Sequence, residues 1–177
     1  MTLKLKRITR KKVVVEKIIV AVVAVLWPIV VEQGKNQRYQ VSVVEKLFNN
    51  KFIAFHVSGG TTEAVLASPS KSGFKLEIIA DTLDLNAGQA IDRTGVMLGL
   101  NFPCGKELEK LALKYNGELK VKKPTLKGFD CCLSGIENIC KQLYENNSSK
   151  EYISAYCLEY IKNTLSEMTD KLLSEYG

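Results

Sequence analysis

A glycine- and hydroxyl-rich stretch between two short apolar runs carries the clearest chemistry in this sequence. The apolar run 52–57 ends in Ser-Gly-Gly-Thr-Thr at 58–62, and a second apolar run, 64–67, follows at once. This pattern predicts a strand, a tight turn and a second strand. Adjacent glycines let the backbone approach a ligand and reach positive φ, and turn N–H groups and hydroxyls can donate to phosphate oxygens. An ordinary glycine hairpin has the same pattern, because short glycine motifs also arise by chance.

Other residues with the types and spacing that catalysis requires are scarce. Ser58 and Ser134 have no accompanying histidine and carboxylate pattern, so the sequence does not support a peptidase. The five cysteines include no CxxC pair, which excludes a zinc ribbon and a regular disulfide framework. Their odd number indicates a reducing compartment in which thiols act as small buried hydrophobes. We expect Cys132, Cys140 and Cys157 to face a core.

Strands come first along the chain and helices follow. The runs 52–57, 64–67 and 74–80 predict an antiparallel meander. A helix over 87–98 follows a group of capping residues, with Gly99 as its C-terminal glycine. The remaining predictions are a short helix at 41–48, a helix at 106–115, an extended segment at 128–135, and helices at 135–144 and 151–175.

The positive charge of this chain is confined to its N-terminus. The 177 residues sum to +6, and residues 1–17 supply all of it, with seven lysines and arginines against one glutamate. A basic nucleic-acid surface across the whole domain is therefore excluded. The residues that could contact phosphates, or remain simply solvated, are the basic arm 4–17 and Lys120, Lys122, Lys123 and Lys127.

An uncharged apolar run at 18–31 follows this basic arm. We consider three interpretations: a buried strand or hairpin, a signal or membrane anchor, and a segment with no settled structure of its own. The run is short for a membrane-spanning helix, which needs roughly 20 apolar residues, and Pro28 would disturb a helix. Most of its residues are β-branched, which favours the strand. We therefore expect no membrane attachment and a cytoplasmic protein.

Four blocks in this order resemble one known family, the TsaD/Gcp family of threonylcarbamoyladenosine synthases, once named O-sialoglycoprotein endopeptidases. Together they span about 52–177, and the Thr61-Thr62-Glu63 form is similar to a divergent branch. The blocks are His56–Glu63 (HVSGGTTE), Thr82–Arg93 (TLDLNAGQAIDR), Leu98–Ala112 (LGLNFPCGKELEKLA) and Phe129–Gly135 (FDCCLSG).

The resemblance implies an α/β fold that is part of an actin-like (actin/hexokinase-type) ATPase lobe, with short antiparallel strands followed by helices. It further implies ATP or an adenylate as ligand, a bound metal ion, and transfer of a threonylcarbamoyl group to an adenosine of tRNA. The implied nucleotide-binding residues are the loop His56, Val57, Ser58, Gly59 and Gly60, with Asp92 at the ribose and Gly105 against the nucleotide.

Two of these acidic positions also have ordinary structural explanations. Asp84 could cap the helix that begins near Ala87. Asp92 lies inside that helix and could pair with a nearby lysine or remain solvated. The resemblance, rather than the pattern itself, assigns Asp92 to the nucleotide.

The sequence departs from the family at the metal site. Members hold the metal with two histidines four residues apart and an aspartate near the C-terminus, whereas this chain has one histidine. We assign no metal ligands and no catalytic residue here. We expect 1–50 to be a segment unlike the family and 51–177 to be an incomplete TsaD-like domain, without the first lobe and the C-terminal block.

Two functions follow as hypotheses. The first is a nucleotide-binding member of the threonylcarbamoyl transfer system that has no activity alone, because metal-dependent chemistry loses its charge stabilisation without the ion. The alternative is a non-catalytic interaction or oligomerisation module with a vestigial cleft. The partners we expect are a second copy of the chain or subunits of a tRNA-modification complex, with direct tRNA contact left open.

Overall fold

The computed structural model of this protein describes residues 19–24 and 49–177. The predicted helix at 41–48 and most of the segment 1–50 lie outside these residues. The described strands are β1 (Ile19–Ala24), β2 (Phe52–Val57), β3 (Thr62–Ser70), β4 (Gly73–Asp81), β5 (Thr125–Lys127) and β6 (Asp130–Cys132). The described helices are α1 (Ala87–Met97), α2 (Gly105–Ala112), α3 (Ser134–Glu145) and α4 (Lys150–Tyr176).

The first four strands form one sheet in the order β1-β2-β3-β4. Strand β1 runs parallel to β2, whereas β2 with β3 and β3 with β4 pair antiparallel. The predicted meander over 52–80 is therefore confirmed. The strand interpretation of the apolar run 18–31 is confirmed for the part described, which is β1. The α/β class with antiparallel strands followed by helices is also confirmed.

Alternation along the strands gives this sheet two different faces. The inner face consists of side chains that are at most 9% exposed: Ile53, Phe55, Val57, Thr62, Ala64 and Leu66. The register places the opposite set on the other side, and we call this set the outer face: Phe52, Ala54, His56, Glu63, Val65, Ala67, Leu76 and Ile78.

The helices pack against the inner face and enclose one apolar core. Leu108 of α2, Ile136 of α3 and Ile153 of α4 are completely buried in the same cluster as Ile53 and Phe55 of β2. Burial of each side chain of this size stabilises the fold by about 1.5–3 kcal/mol. The predicted helix over 87–98 is confirmed as α1, whose side facing the core carries Ala90, Ile91 and Thr94, all buried.

Some local predictions differ from the structure. Helix α2 ends at Ala112 rather than at residue 115, although turn hydrogen bonds continue to Tyr115. The segment around 125–132 is a hairpin of two three-residue strands that turns at Gly128, whose φ is +64°. Strands of three residues are too short for an alternating pattern, so the first of them was missed.

The cysteines also lie slightly differently from the prediction. Cys140 and Cys157 are buried as expected, but Cys132 is only half-buried and its neighbour Cys131 is the one that faces the core. The strand alternation of β6 decides which of the two points inward. Burial raises the pKa of the Cys131 thiol to about 11, so this thiol stays protonated and unreactive at neutral pH. All five cysteines are free.

Within the described ranges, no helix combines the length and the apolar character that a membrane crossing needs.

Candidate nucleotide site

The glycine stretch forms the loop of the β2–β3 hairpin. The N–H of Ser58 donates to the carbonyl of Thr61 at 2.8 Å, and the N–H of Gly60 donates to Ser58 Oγ at 3.2 Å. Within 49–177 the positive-φ glycines are Gly73, Gly99 and Gly128, so the loop glycines Gly59 and Gly60 do not use positive φ as expected. A Cβ on Gly59 or Gly60 would have no atom within 4 Å, so both glycines border open space.

This hairpin is fixed to the start of helix α1. The N–H of Gly88 donates to the Ser58 carbonyl at 3.1 Å, and the N–H of Ala87 donates to Thr62 Oγ1 at 2.8 Å. The approach is close, because a Cβ on Gly88 would lie 2.6 Å from Gly59 Cα. The first N–H groups of α1, which a ligand phosphate could otherwise use, therefore hold the loop.

Asp92 joins α1 to the beginning of α2. Its Oδ1 accepts a hydrogen bond of 2.8 Å from the N–H of Cys104, which directly precedes α2. Among the described residues Asp92 forms no ion pair with a lysine, and its hydrogen bond goes to this backbone group. Cys104 in turn packs against Gly95, where a Cβ would lie 2.2 Å from Cys104 Cβ. The Oδ1 atom of Asp92 thus has a structural role, and Oδ2 is the carboxylate oxygen that a ligand could contact.

A surface depression of about 770 Å³ brings the glycine loop and Asp92 together. Its lining residues are Gly59, Gln89, Asp92, Arg93, Val96, Met97, Phe102 and Glu137. Five of these lie on α1 at positions i, i+3, i+4, i+7 and i+8, which is one stripe of a helix. The helical spacing of this stripe is a signal that the sequence contains, although the sequence alone assigned only Asp92 of it to a ligand site.

The other predicted site residues, including Ser58 and Gly60 of the loop, do not line this depression. His56 lies on the opposite side of the sheet, where its Nδ1 is 3.4 Å from Glu63 Oε1. Val57 is 3% exposed and packs in the core, so only its backbone could reach a ligand. Gly105 is half-buried at the start of α2, and a Cβ there would meet Ile91 Cγ2 at an ordinary 3.9 Å.

Charge and apolar surface both contribute to the depression. Arg93 forms an ion pair of 2.9 Å with Glu137 of α3. Phe102 and Val96 are 74% and 56% exposed, which is unusual for apolar side chains of their size. The depression therefore offers an aromatic surface, a carboxylate and open backbone at one place.

Asp84 caps a helix, but a different one from that predicted. Its Oδ1 accepts from the N–H groups of Leu85, Leu133 and Ser134, and its Oδ2 accepts from the Ser134 hydroxyl at 2.6 Å. Asp84 therefore caps α3, while the residue before α1 is Asn86. Burial acts to raise the pKa of Asp84, but the hydrogen bonds from Ser134, Leu85 and Leu133 outweigh it and leave the pKa below its ordinary value.

The described residues do not fit the metal that the resemblance implies. Residues 19–24 and 49–177 contain no group of three or more His, Cys, Asp or Glu side chains arranged to hold an ion. His56, the single histidine of the sequence, faces Glu63 and lies away from Asp92.

Comparison with known families identifies the chain. The sequence profile of TsaD, described as tRNA N6-adenosine threonylcarbamoyltransferase, matches residues 39–177. The chain belongs to the TsaD family. The match begins at residue 39, upstream of β2, so it includes residues before the first of the four blocks, His56–Glu63.

Three curated relatives show how far this TsaD family member has diverged. A tRNA N6-adenosine threonylcarbamoyltransferase of Thermococcus gammatolerans is 31% identical over 137 residues, covering 76% of this chain and 40% of the relative. The enzyme of the same name from Riemerella anatipestifer is 35% identical over 130 residues, covering 68% and 37%. A probable bifunctional tRNA threonylcarbamoyladenosine biosynthesis protein of Methanocaldococcus jannaschii is 32% identical over 123 residues, covering 69% and 22%. The chain spans two fifths or less of the length of these relatives.

Proposed function

We propose that this chain binds an adenine nucleotide, ATP or an adenylate, in the depression between the glycine loop and α1. The observation that carries the proposal is the juxtaposition of Gly59 and Asp92 in the lining of one depression. The names of the relatives support a role in tRNA threonylcarbamoyladenosine biosynthesis, in which the nucleotide would serve the transfer of threonylcarbamoyl to tRNA.

The lining suggests how each part of a nucleotide would be held. Open backbone at Gly59 and Gly60 would let phosphate oxygens approach the loop, where the Gly60 N–H would exchange Ser58 Oγ for a phosphate oxygen. Asp92 Oδ2 would accept from a ribose hydroxyl, as acidic side chains do in other nucleotide sites. The exposed ring of Phe102 would stack on the base, an interaction worth about 1–3 kcal/mol per base. Arg93 is the cation in the lining that could leave Glu137 for a phosphate.

We propose further that the chain does not carry out the transfer by itself. A sequence with one histidine cannot supply the histidine pair that the resemblance implies for the metal. The same proposal includes an actin-like lobe that begins near residue 50. It also includes a cytoplasmic location and partners in a tRNA-modification complex. The exposed lysines near β5, such as Lys122 and Lys123, could contact tRNA in such a complex.

We expect Gly59→Val, at the loop residue that lines the depression, to abolish binding of Mg-ATP and of ADP. The valine side chain would enter the open space beside the loop without displacing a protein atom, so it would exclude ligand while the fold is retained. Isothermal titration calorimetry measures the binding, and circular dichroism checks the fold. The matched control is Ser72→Val, which adds similar bulk to the exposed turn of the neighbouring β3–β4 hairpin.

Asp92→Asn separates the two roles of this carboxylate. The asparagine Oδ1 can still accept from the N–H of Cys104, so we expect stability to change little. Loss of a charged acceptor for a ribose hydroxyl should weaken nucleotide binding by about tenfold, since hydrogen bonds to charged groups contribute about 1.5–3 kcal/mol. Unchanged affinity in both Gly59→Val and Asp92→Asn, measured by the same titration, would contradict the proposed site.

A second candidate is the interaction module with a vestigial cleft. The observation in its favour is the apolar surface of β4, where Leu76 is 66% and Ile78 is 62% exposed. It predicts association that is independent of nucleotide, which sedimentation velocity with and without ATP measures.

A further inference from the structure

Apart from the pair of His56 and Glu63 next to the glycine loop, the outer face of the sheet is apolar where a solvent-facing sheet would be polar. An antiparallel sheet with one wet side alternates apolar and polar residues along each strand. Here β2, β3 and β4 place Phe52, Ala54, Val65, Leu76 and Ile78 on the side away from the helices. The rings of Phe52 and Phe74 also pack edge to face, with centroids 5.3 Å apart. This composition indicates a covered surface.

The connection from β1 to β2 must pass over one side of the sheet. The two strands are parallel neighbours, with Ile19 opposite Phe52 and Ala24 opposite Val57. The chain therefore leaves β1 at one end of the sheet and must return to the other end to begin β2. Parallel neighbours always need such a crossover, and it takes a dozen or more residues. Residues 25–51 provide 27.

The hydrogen bonds of the hairpin show which side a right-handed crossover takes. Because the Ser58 N–H donates to Thr61, alternation makes Phe52, Ala54 and His56 the residues of β2 whose N–H and C=O groups point to β3. Strand β1 lies on the opposite edge of β2. Because the residues are L-amino acids, the side chains of Phe52, Ala54 and His56 point to the face of the sheet that a right-handed connection from β1 to β2 crosses. About 98% of such connections are right-handed. That side is the outer face.

We propose that the outer face is the docking surface for residues 25–48 of the same chain. The composition of this segment fits an apolar surface, since 12 of its 24 residues are apolar, mostly in 25–31 and 41–48. The strands on either side of it belong to the same sheet, since β1 ends at Ala24 and β2 begins at Phe52. A tethered segment competes at an effective concentration in the millimolar range, which a second copy or a partner protein does not reach at ordinary protein concentrations.

Photo-cross-linking of the full chain tests this docking. The probe p-benzoyl-phenylalanine replaces Val65 in one variant and Leu76 in another. Val65 is half-buried and central, and Leu76 is 66% exposed, so its replacement leaves the core intact even if the first variant fails to fold. The matched control places the probe at Leu113, which is 62% exposed at the end of α2 on the helical side. Equal amounts of ¹⁴N- and ¹⁵N-labelled chain are mixed before irradiation.

Mass spectrometry of the cross-linked peptides decides the outcome. We expect the outer-face probes to link to residues 25–48 in peptides of a single isotope. The probe at Leu113 should give no such cross-link. Peptides of mixed isotope would mean that a second copy covers the face and would overturn the proposal. Absence of links to 25–48, or the same links from Leu113, would overturn it as well.

Discussion

Gly88→Ala is expected to lower the free energy of unfolding by about 2 kcal/mol, because overpacking a tight contact typically costs 1–3 kcal/mol. The new Cβ would lie 2.6 Å from both Gly59 Cα and the Ser58 carbonyl oxygen. These are backbone atoms, so the loop must move away from α1 and the hydrogen bond from Gly88 N–H to Ser58 would lengthen. Urea unfolding followed by circular dichroism measures the change.

The matched control for this prediction is Gly135→Ala. Gly135 is the second residue of α3, as Gly88 is of α1, but a Cβ at Gly135 would meet no atom within 4 Å. There the alanine should raise stability by about 0.5–1 kcal/mol through its higher helix propensity. Equal effects of the two substitutions would show that the close approach of loop and helix is not a stability constraint. If nucleotide binding is established, Gly88→Ala should weaken it also, because the loop would shift relative to Asp92.

Asp84→Ala is expected to lower the free energy of unfolding by about 2–3 kcal/mol. Loss of a helix cap alone costs up to about 2 kcal/mol, and the partly buried N–H groups of Leu85 and Leu133 would also lose their acceptor. Asp84 serves three backbone N–H groups and the Ser134 hydroxyl, and it connects the segment after β4 to the start of α3. The same urea measurement applies. A change below about 0.5 kcal/mol, the size of an ordinary surface substitution, would contradict this role.

The pH dependence gives the Asp84 prediction a second readout. The pKa of Asp84 in the folded protein lies below its ordinary value of 3.8. Unfolded chains therefore take up the proton first as pH falls, so the contribution of this carboxylate is fully present above pH 3.8 and is lost as pH falls through the folded pKa. The stability difference between the wild type and Asp84→Asn should be constant near neutral pH and shrink below pH 3.8. A stability difference between the two proteins that increases as the pH falls would contradict this prediction.

The case of Asp84 also shows where prediction from sequence stops. The pattern before α1 contains several residues able to cap a helix, and proximity in sequence favoured α1 as the helix that Asp84 caps. The carboxylate instead meets Ser134, 50 residues away. Long-range pairing of this kind depends on how β4, β6 and α3 come together, which a local pattern does not contain.

The depression illustrates the same limit at the candidate site. The glycine loop and Asp92 were singled out by sequence, but Phe102 and Glu137 join them only in the folded chain. His56 belongs to the same block as Gly59, yet strand alternation turns its side chain to the outer face. The motif around Gly59 therefore predicted the loop correctly, but it also assigned the side chain of His56 to the ligand site, and this side chain does not line the depression.

The sequence by itself determined the family, the order of strands and helices, and the extent of most elements, because apolar periodicity, glycines and capping residues act within a few positions. Tertiary structure decided the parallel neighbour of β2, the helix that Asp84 caps, which of Cys131 and Cys132 is buried, and the residues that meet Asp92. These depend on contacts between residues far apart in the chain. Burial and sheet register fix such contacts, and neither has a local signature in the sequence.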